Sequence, residues 1–243
     1  SPFKNGKLSG FETYRAHVWT QTDPDRTGIP KFLTEKSMSF EQYVDYALKV
    51  PVYAVIRNSN YYNCTEFTFS ELLEGKNENF NPEDITIEDW INHISTIFTE
   101  VRLKTFIEMR GADAGNYNSL CALPAFWTGI LYQKEALEET YNIISDFTYE
   151  DLMNFRKDVI SKGLDASYGK TNGWALAERF LNISFNGLKK RDQKNLYGDD
   201  ETVHLDYLFK VITKKENASR KAIQLYFSDE VLKVKELFES ESF

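Results

Sequence analysis

The sequence predicts an α+β fold, an antiparallel sheet portion followed by a mainly helical C-terminal part. Two-residue hydrophobic alternation is confined to the first half of the chain, whereas amphipathic helical stripes fill almost everything after residue 117. There is also no regular strand–helix alternation, which argues against a parallel β-α-β sheet.

Tyr14, Ala16 and Val18 alternate with Arg15, His17 and Trp19, so residues 14–19 are expected as a strand. Its second face would carry a cation, an imidazole and an indole. Phe40, Tyr43, Val44, Ala47 and Leu48 then recur at helical spacing, and Ser39 with Gln42 supplies a capping box. Val52–Arg57 and Tyr61–Cys64 flank Asn58-Ser59-Asn60 and read as a hairpin. Ile87, Trp90, Ile91, Ile94 and Phe98 form a second helical stripe after Thr86. Residues 101–110 read as one strand. Val101, Leu103, Thr105, Ile107 and Met109 line its apolar face, and Arg102, Lys104, Phe106, Glu108 and Arg110 line the other. Beyond it, helices are expected at 117–132, 134–145, 149–161, 173–190, 202–213, 217–227 and 229–239. The chain therefore divides into a sheet-containing portion, 1–116, and a helical portion, 117–243, of one domain. With so few strands, the sheet is expected to be completed by residues outside this chain.

The 243 residues carry a net charge of −8, with 42% hydrophobic and 15% aromatic residues. That is the composition of a folded chain with a sizeable core. Overall acidity argues against nucleic acid or a membrane surface as partner, since both demand a dominant basic field. No apolar run is long enough to span a bilayer, and no secretory segment is visible. Two cysteines are too few to staple a fold of this size, which fits a reducing compartment. A soluble cytoplasmic protein is expected. Ser1-Pro-Phe leads almost directly into a turn, so truncation or processing is expected as well.

The most informative segment for chemistry is Glu100 to Arg110. Burying a row of unpaired charges would cost several kcal/mol per ion. The charged face is therefore either a solvent-facing ladder of ion pairs or the wall of a ligand pocket. Gly111-Ala112-Asp113-Ala114-Gly115 at its end permits a close-approach loop and favours the pocket. Arg15, His17 and Trp19 leave the same two readings open, and Asp23-Pro-Asp-Arg-Thr-Gly28 is a turn-rich segment. Other chemistries find no support. There is no phosphate-binding glycine loop, and His17, His93 and His204 lack metal-site spacing. Cys64 and Cys121 sit in apolar surroundings suited to inert buried thiols, and Lys189-Lys190-Arg191 suits a solvated helix end.

The runs Tyr14-Arg-Ala-His-Val-Trp-Thr20, Asp23-Pro-Asp-Arg-Thr-Gly28, Phe40-Glu-Gln-Tyr-Val-Asp-Tyr-Ala47, Glu100-Val-Arg-Leu-Lys104, Glu108-Met-Arg-Gly-Ala-Asp113 and Leu120-Cys-Ala-Leu-Pro-Ala-Phe-Trp127 stand in a particular order and spacing. In this they resemble the glutamate–cysteine ligases of plants and many proteobacteria. The likeness is dense to about Trp127 and thinner beyond, where Asn186-Gly-Leu-Lys-Lys-Arg191 still matches. It implies a glutamine-synthetase-like fold, whose antiparallel sheet curls into a funnel, and so gives charged strand faces a reason to point inward. It also implies ATP-dependent joining of glutamate to cysteine through γ-glutamyl phosphate, with Mg²⁺ at the phosphates. By resemblance Glu108 would be a Mg²⁺ ligand and Arg110 would hold the transferring phosphoryl group. Arg15, His17 and Trp19 would line the amino-acid end of the funnel, and Arg26 is a further carboxylate contact.

The same likeness implies a missing N-terminal half carrying other acidic metal ligands, without which the chain would be inactive. Alternatives are a non-catalytic fragment, or a ligase using another amine acceptor. The plant enzymes carry a regulatory cysteine pair of which Cys64 matches the first member. Gly75 to Pro82 holds no cysteine to match the second, so this switch is expected to be absent. Helices in place of the strands expected at residues 14–19, 52–64 and 101–110, or a parallel β-α-β sheet, would sink the family assignment.

Overall fold

The structure, a computed structural model, describes residues 2–35 and 38–228. The chain divides into two compact units, one formed by Val18–Gly111 and the other by the segments on either side of it. The divisions fall at 17/18 and 111/112.

The flanking unit opens with a tight hairpin, β1 (Phe3–Lys4) and β2 (Lys7–Leu8). It turns through Asn5 and Gly6, both at positive φ, the conformation a two-residue hairpin loop requires. Residues 14–19, expected as a strand, form a helix instead, α1 (Tyr14–Trp19). Two local contacts explain the difference. The Thr13 hydroxyl accepts from the Ala16 N–H at 3.4 Å, as a helix N-cap does, and His17 stacks on Phe11 with ring centroids 3.9 Å apart. Six residues of alternation are too few to decide between a strand and a helix.

The central unit is α+β. It contains β3 (Thr27–Gly28), α2 (Phe40–Lys49), a hairpin of β4 (Ala54–Arg57) and β5 (Asn60–Asn63), α3 (Phe69–Leu73) and α4 (Ile87–Ser95). Reciprocal capping boxes start the three helices, at Ser39/Gln42, Thr68/Glu71 and Thr86/Asp89. The hairpin turns on Asn58 and Ser59, at φ 50° and 63°, so Asn60 belongs to the strand. Then come β6 (Phe98–Thr99), β7 (Val101–Leu103) and β8 (Ile107–Met109). The single strand expected over 101–110 is thus a hairpin, β7–β8. Phe98, assigned by spacing to the α4 stripe, lies in β6 instead. The described sheets are two-stranded; β3 pairs with β6 in parallel and the others are antiparallel. Val52, Val55, Cys64, Phe69, Leu72 and Phe80 form the main core cluster of this unit.

The rest of the flanking unit is helical: α5 (Tyr117–Leu131), α6 (Lys134–Ile144), α7 (Tyr149–Lys162), α8 (Gly173–Arg191), α9 (Asp206–Lys214) and α10 (Ala218–Phe227). A small hairpin, β9 (Ser167–Tyr168) with β10 (Thr171–Asn172), precedes α8. The helix expected over 202–213 begins as a 3₁₀ turn, Glu201–Leu205, and continues as α9. The one expected at 229–239 lies outside the described residues. Ala125 packs with Leu181, Leu188 and Leu205 between α5, α8 and the 3₁₀ turn.

Candidate functional site

The β7–β8 hairpin gathers the charges that sequence alternation placed on one face. Lys104, Thr105 and Phe106 make the loop, closed by the Lys104 N–H donating to the Phe106 carbonyl at 2.9 Å. The register sets Val101 opposite Met109 and Arg102 opposite Glu108, so both members of the second pair project from the same face.

Arg102 is the anchor. It is only 7% exposed. Its Nε and Nη2 donate to Glu108 Oε2 at 3.0 and 2.7 Å, and its Nη1 donates to the backbone carbonyls of Ser95 and Ile97. The other oxygen of Glu108, Oε1, accepts from Arg110 Nη1 at 2.8 Å, and Lys104 Nζ stands 3.9 Å from Oε2. The Phe98 ring flanks both guanidinium groups, 6.0 Å from that of Arg102 and 5.4 Å from that of Arg110. Hydrogen bonds from Arg102 first, with those from Arg110, hold the Glu108 carboxyl below the usual carboxylate range against the opposing effect of burial. Three cations thus surround one ionised carboxylate, an arrangement that attracts anions.

The metal role implied for Glu108 can be tested on this geometry. Both its oxygens already accept from arginines, and no cluster of three metal-ligating side chains exists among the described residues. These residues do not by themselves make a Mg²⁺ site. His93 is no candidate ligand: it is buried, its Nε2 is 2.8 Å from the Ala47 carbonyl, and burial pushes its pKa down.

The other expected site residues are placed as follows. Trp19 packs beside Phe98, with centroids 6.0 Å apart, which links it to the Glu108–Arg110 cluster. Arg15 and His17 belong to the flanking unit. There Arg15 lies 4.0 Å from Asp113, whose other oxygen accepts from Thr13 Oγ1 at 3.3 Å. Arg26, read as a carboxylate contact, is 1% exposed. Its donors go to Asp23, the Thr96 hydroxyl and the Pro51 carbonyl, and its guanidinium lies 3.6 Å from the Tyr53 ring centroid. That is an internal brace, with no surface left for a substrate.

Sequence reasoning missed Phe98 as a floor for the arginines and Arg102 as the anchor of the site. The signal for Arg102 was present: opposite charges of the same parity on a segment that pairs with itself.

A family model described as glutamate-cysteine ligase family 2 matches residues 1–213. Among curated relatives, glutamate–cysteine ligase A, chloroplastic, of Oryza sativa subsp. indica is 45% identical over 196 residues, covering 81% of this chain and 40% of the relative. The chloroplastic glutamate–cysteine ligase of Medicago truncatula is 41% identical over 226 residues, covering 93% and 43%. That of Arabidopsis thaliana is 40% identical over 226 residues, covering 93% and 42%. The chain therefore spans about four-tenths of the length of the curated relatives it matches. Each of these relatives is named as chloroplastic, which overturns the expectation of a cytoplasmic protein. The helix at 14–19 does not remove the family, because the match runs through it. The chain belongs to the glutamate–cysteine ligase family 2.

Proposed function

We propose that this chain supplies the phosphoryl-gripping part of an ATP-dependent ligase that joins the γ-carboxyl of glutamate to the amine of cysteine. The observation that carries this reading is the Arg102–Glu108–Arg110 chain of ion pairs beside Phe98. A carboxylate is a poor electrophile, so ATP first converts it to an acyl phosphate, and the amine then displaces phosphate. Enzymes assist such steps chiefly by positioning groups and stabilising charge. Arg102 and Glu108 fix the guanidinium of Arg110, which would grip the transferring phosphoryl group with two donors. Lys104 adds a cation at the hairpin loop. Trp19, which packs beside Phe98, would line the amino-acid end of the site. Arg26 shapes its turn and is not offered as a substrate contact. Mg²⁺ would take its ligands largely from the remainder of the enzyme, and a chloroplast location follows the relatives' names.

The test is phosphate release by the complete enzyme from glutamate, cysteine and ATP with Mg²⁺, repeated with Arg110→Lys. Lysine cannot reproduce the fork-like grip, so kcat should fall about 100-fold, the usual cost of removing one transition-state donor. Full activity of the variant would remove the phosphoryl role. Faster turnover with a non-thiol amine would keep a ligase but replace cysteine as its substrate.

A further inference from the structure

We infer that the outer face of α5 is the surface on which the rest of the ligase polypeptide packs, which rests on the reading above only in taking the chain as part of a longer ligase. Among the described helices α5 alone carries no charged residue. Its buried residues are Ala122, Ala125, Gly129 and Ile130. At 3.6 residues per turn they occupy an arc of about 140°. Tyr117, Leu120, Leu123, Pro124, Trp127 and Leu131 fall on a separate arc of about 120°. Trp127 is half-buried and the other five are exposed, Tyr117 by 71%, Leu120 by 47% and Leu131 by 42%. A surface helix normally turns a polar face outward, whereas one that is apolar all round is buried on every side. α5 has the second composition but is buried on one side. Its outer stripe, about 21 Å long, is a contiguous apolar patch of the kind that marks an interface.

Two facts point to the occupant. The chain spans about four-tenths of the length of the curated relatives it matches, so the larger part of such an enzyme lies outside it. α5 lies wholly within residues 1–213, the stretch matched by the family model, so the stripe belongs to the part this chain has in common with those longer proteins. The packing surface is expected to be apolar and free of charge, since an ion buried against this stripe would find no counter-charge. A lipid surface fits less well. Interfacial helices pair their apolar face with Lys and Arg, and α5 has neither.

Carbene labelling and urea unfolding test this. In the 243-residue chain, Tyr117, Leu120 and Leu123 should be labelled readily. In the complete enzyme the same side chains should be labelled several-fold less, by an amount that does not change on dilution. Leu120→Glu and Leu131→Lys each place on the stripe a charge of the sign that its end of the helix favours. Both should leave the urea midpoint of the 243-residue chain unchanged and lower that of the complete enzyme. Equal labelling of the two proteins, or equal loss of stability in both, would overturn the inference. So would protection that fades on dilution, which would make a second copy the occupant, or protection that appears only with phospholipid vesicles. Phosphate release enters none of these readouts, so an active Arg110→Lys variant would remove the phosphoryl reading and leave this inference standing.

Discussion

Replacing Gly187 of α8 by alanine sets two physical effects against each other. Helix propensity alone favours alanine by about 1 kcal/mol. Packing says the opposite. A Cβ on Gly187 would lie 1.9 Å from the Gly129 carbonyl oxygen and 2.8 Å from its carbon, so α5 and α8 touch backbone to backbone. Neighbouring atoms offer no relief. A Cβ on Gly129 would meet the Ser184 carbonyl oxygen at 2.2 Å, and the buried Ser184 hydroxyl already donates to the Phe126 carbonyl at 2.8 Å. Since non-bonded heavy atoms sit roughly 3.5 Å apart, the helices must separate by more than about 1 Å. That opens the cluster of Ala125, Leu181, Leu188 and Leu205. Overpacking costs about 1–3 kcal/mol, and obstruction by backbone places this case at the upper end. The net expectation is destabilisation by about 2 kcal/mol after the propensity gain is subtracted. Urea unfolding should show a lower midpoint at unchanged slope. A variant as stable as the parent, or more so, would refute the close crossing.

Two further expectations follow from the central unit. Asp89 accepts from both Arg57 amino groups at 2.7 Å and from the Thr86 N–H and hydroxyl. Burial pushes its pKa up, but the bonds from Arg57 and Thr86 outweigh it and the net shift is downward. Its contribution is therefore complete above the unfolded value of about 3.9 and is lost as pH falls through the lower folded value. Asp89→Asn should cost about 2 kcal/mol at neutral pH, allowing for the partly exposed Arg57, and should flatten the acid limb of stability. Urea midpoints from pH 7 to pH 2 measure both, and equal acid slopes would sink the argument. Cys64 is buried, its thiol pushed up by that burial and contacted by Asn77 Nδ2 at 3.8 Å, and both cysteines are free. Mild oxidation should leave two thiols in non-reducing mass analysis, with Cys64 alkylated more slowly than Cys121; a Cys64–Cys121 bridge would be the contrary result.

What was legible in the sequence depended on how local its cause was. The starts of α5, α7, α8 and α10 are set by Asn116, Thr148, Asn172 and Asn217, each accepting from the third helical N–H, so they lie at or within a residue of the expected positions. Residues 14–19 went the other way because a side-chain stack on Phe11 and a cap at Thr13 outweigh a short alternation. The β7–β8 hairpin is more instructive. Lys104, Thr105 and Phe106 contain no glycine, proline or asparagine, so nothing announces the turn. A three-residue loop nevertheless pairs even positions with even ones, 102 with 108, and so preserves parity. The shared face was therefore predicted correctly from a topology that was wrong. Arg26 had no such protection. Its partners at Pro51, Tyr53 and Thr96 are distant in sequence, and the turn around it looks the same whether the guanidinium points outward or inward.

Burial divides the labour at the charged face. The Arg102 side chain is 8% exposed and spends its donors on Glu108 and two backbone carbonyls, so removing it would strand buried acceptors as well as a carboxylate. The Arg110 side chain is 20% exposed and that of Lys104 is 31% exposed, so an approaching anion meets these two first. Glu108 lies between the buried and the accessible cations, with one oxygen committed to each arginine. Glu108 thereby ties the accessible guanidinium of Arg110 to the buried one of Arg102, so the orientation of the more exposed cation is set by a side chain anchored in the interior.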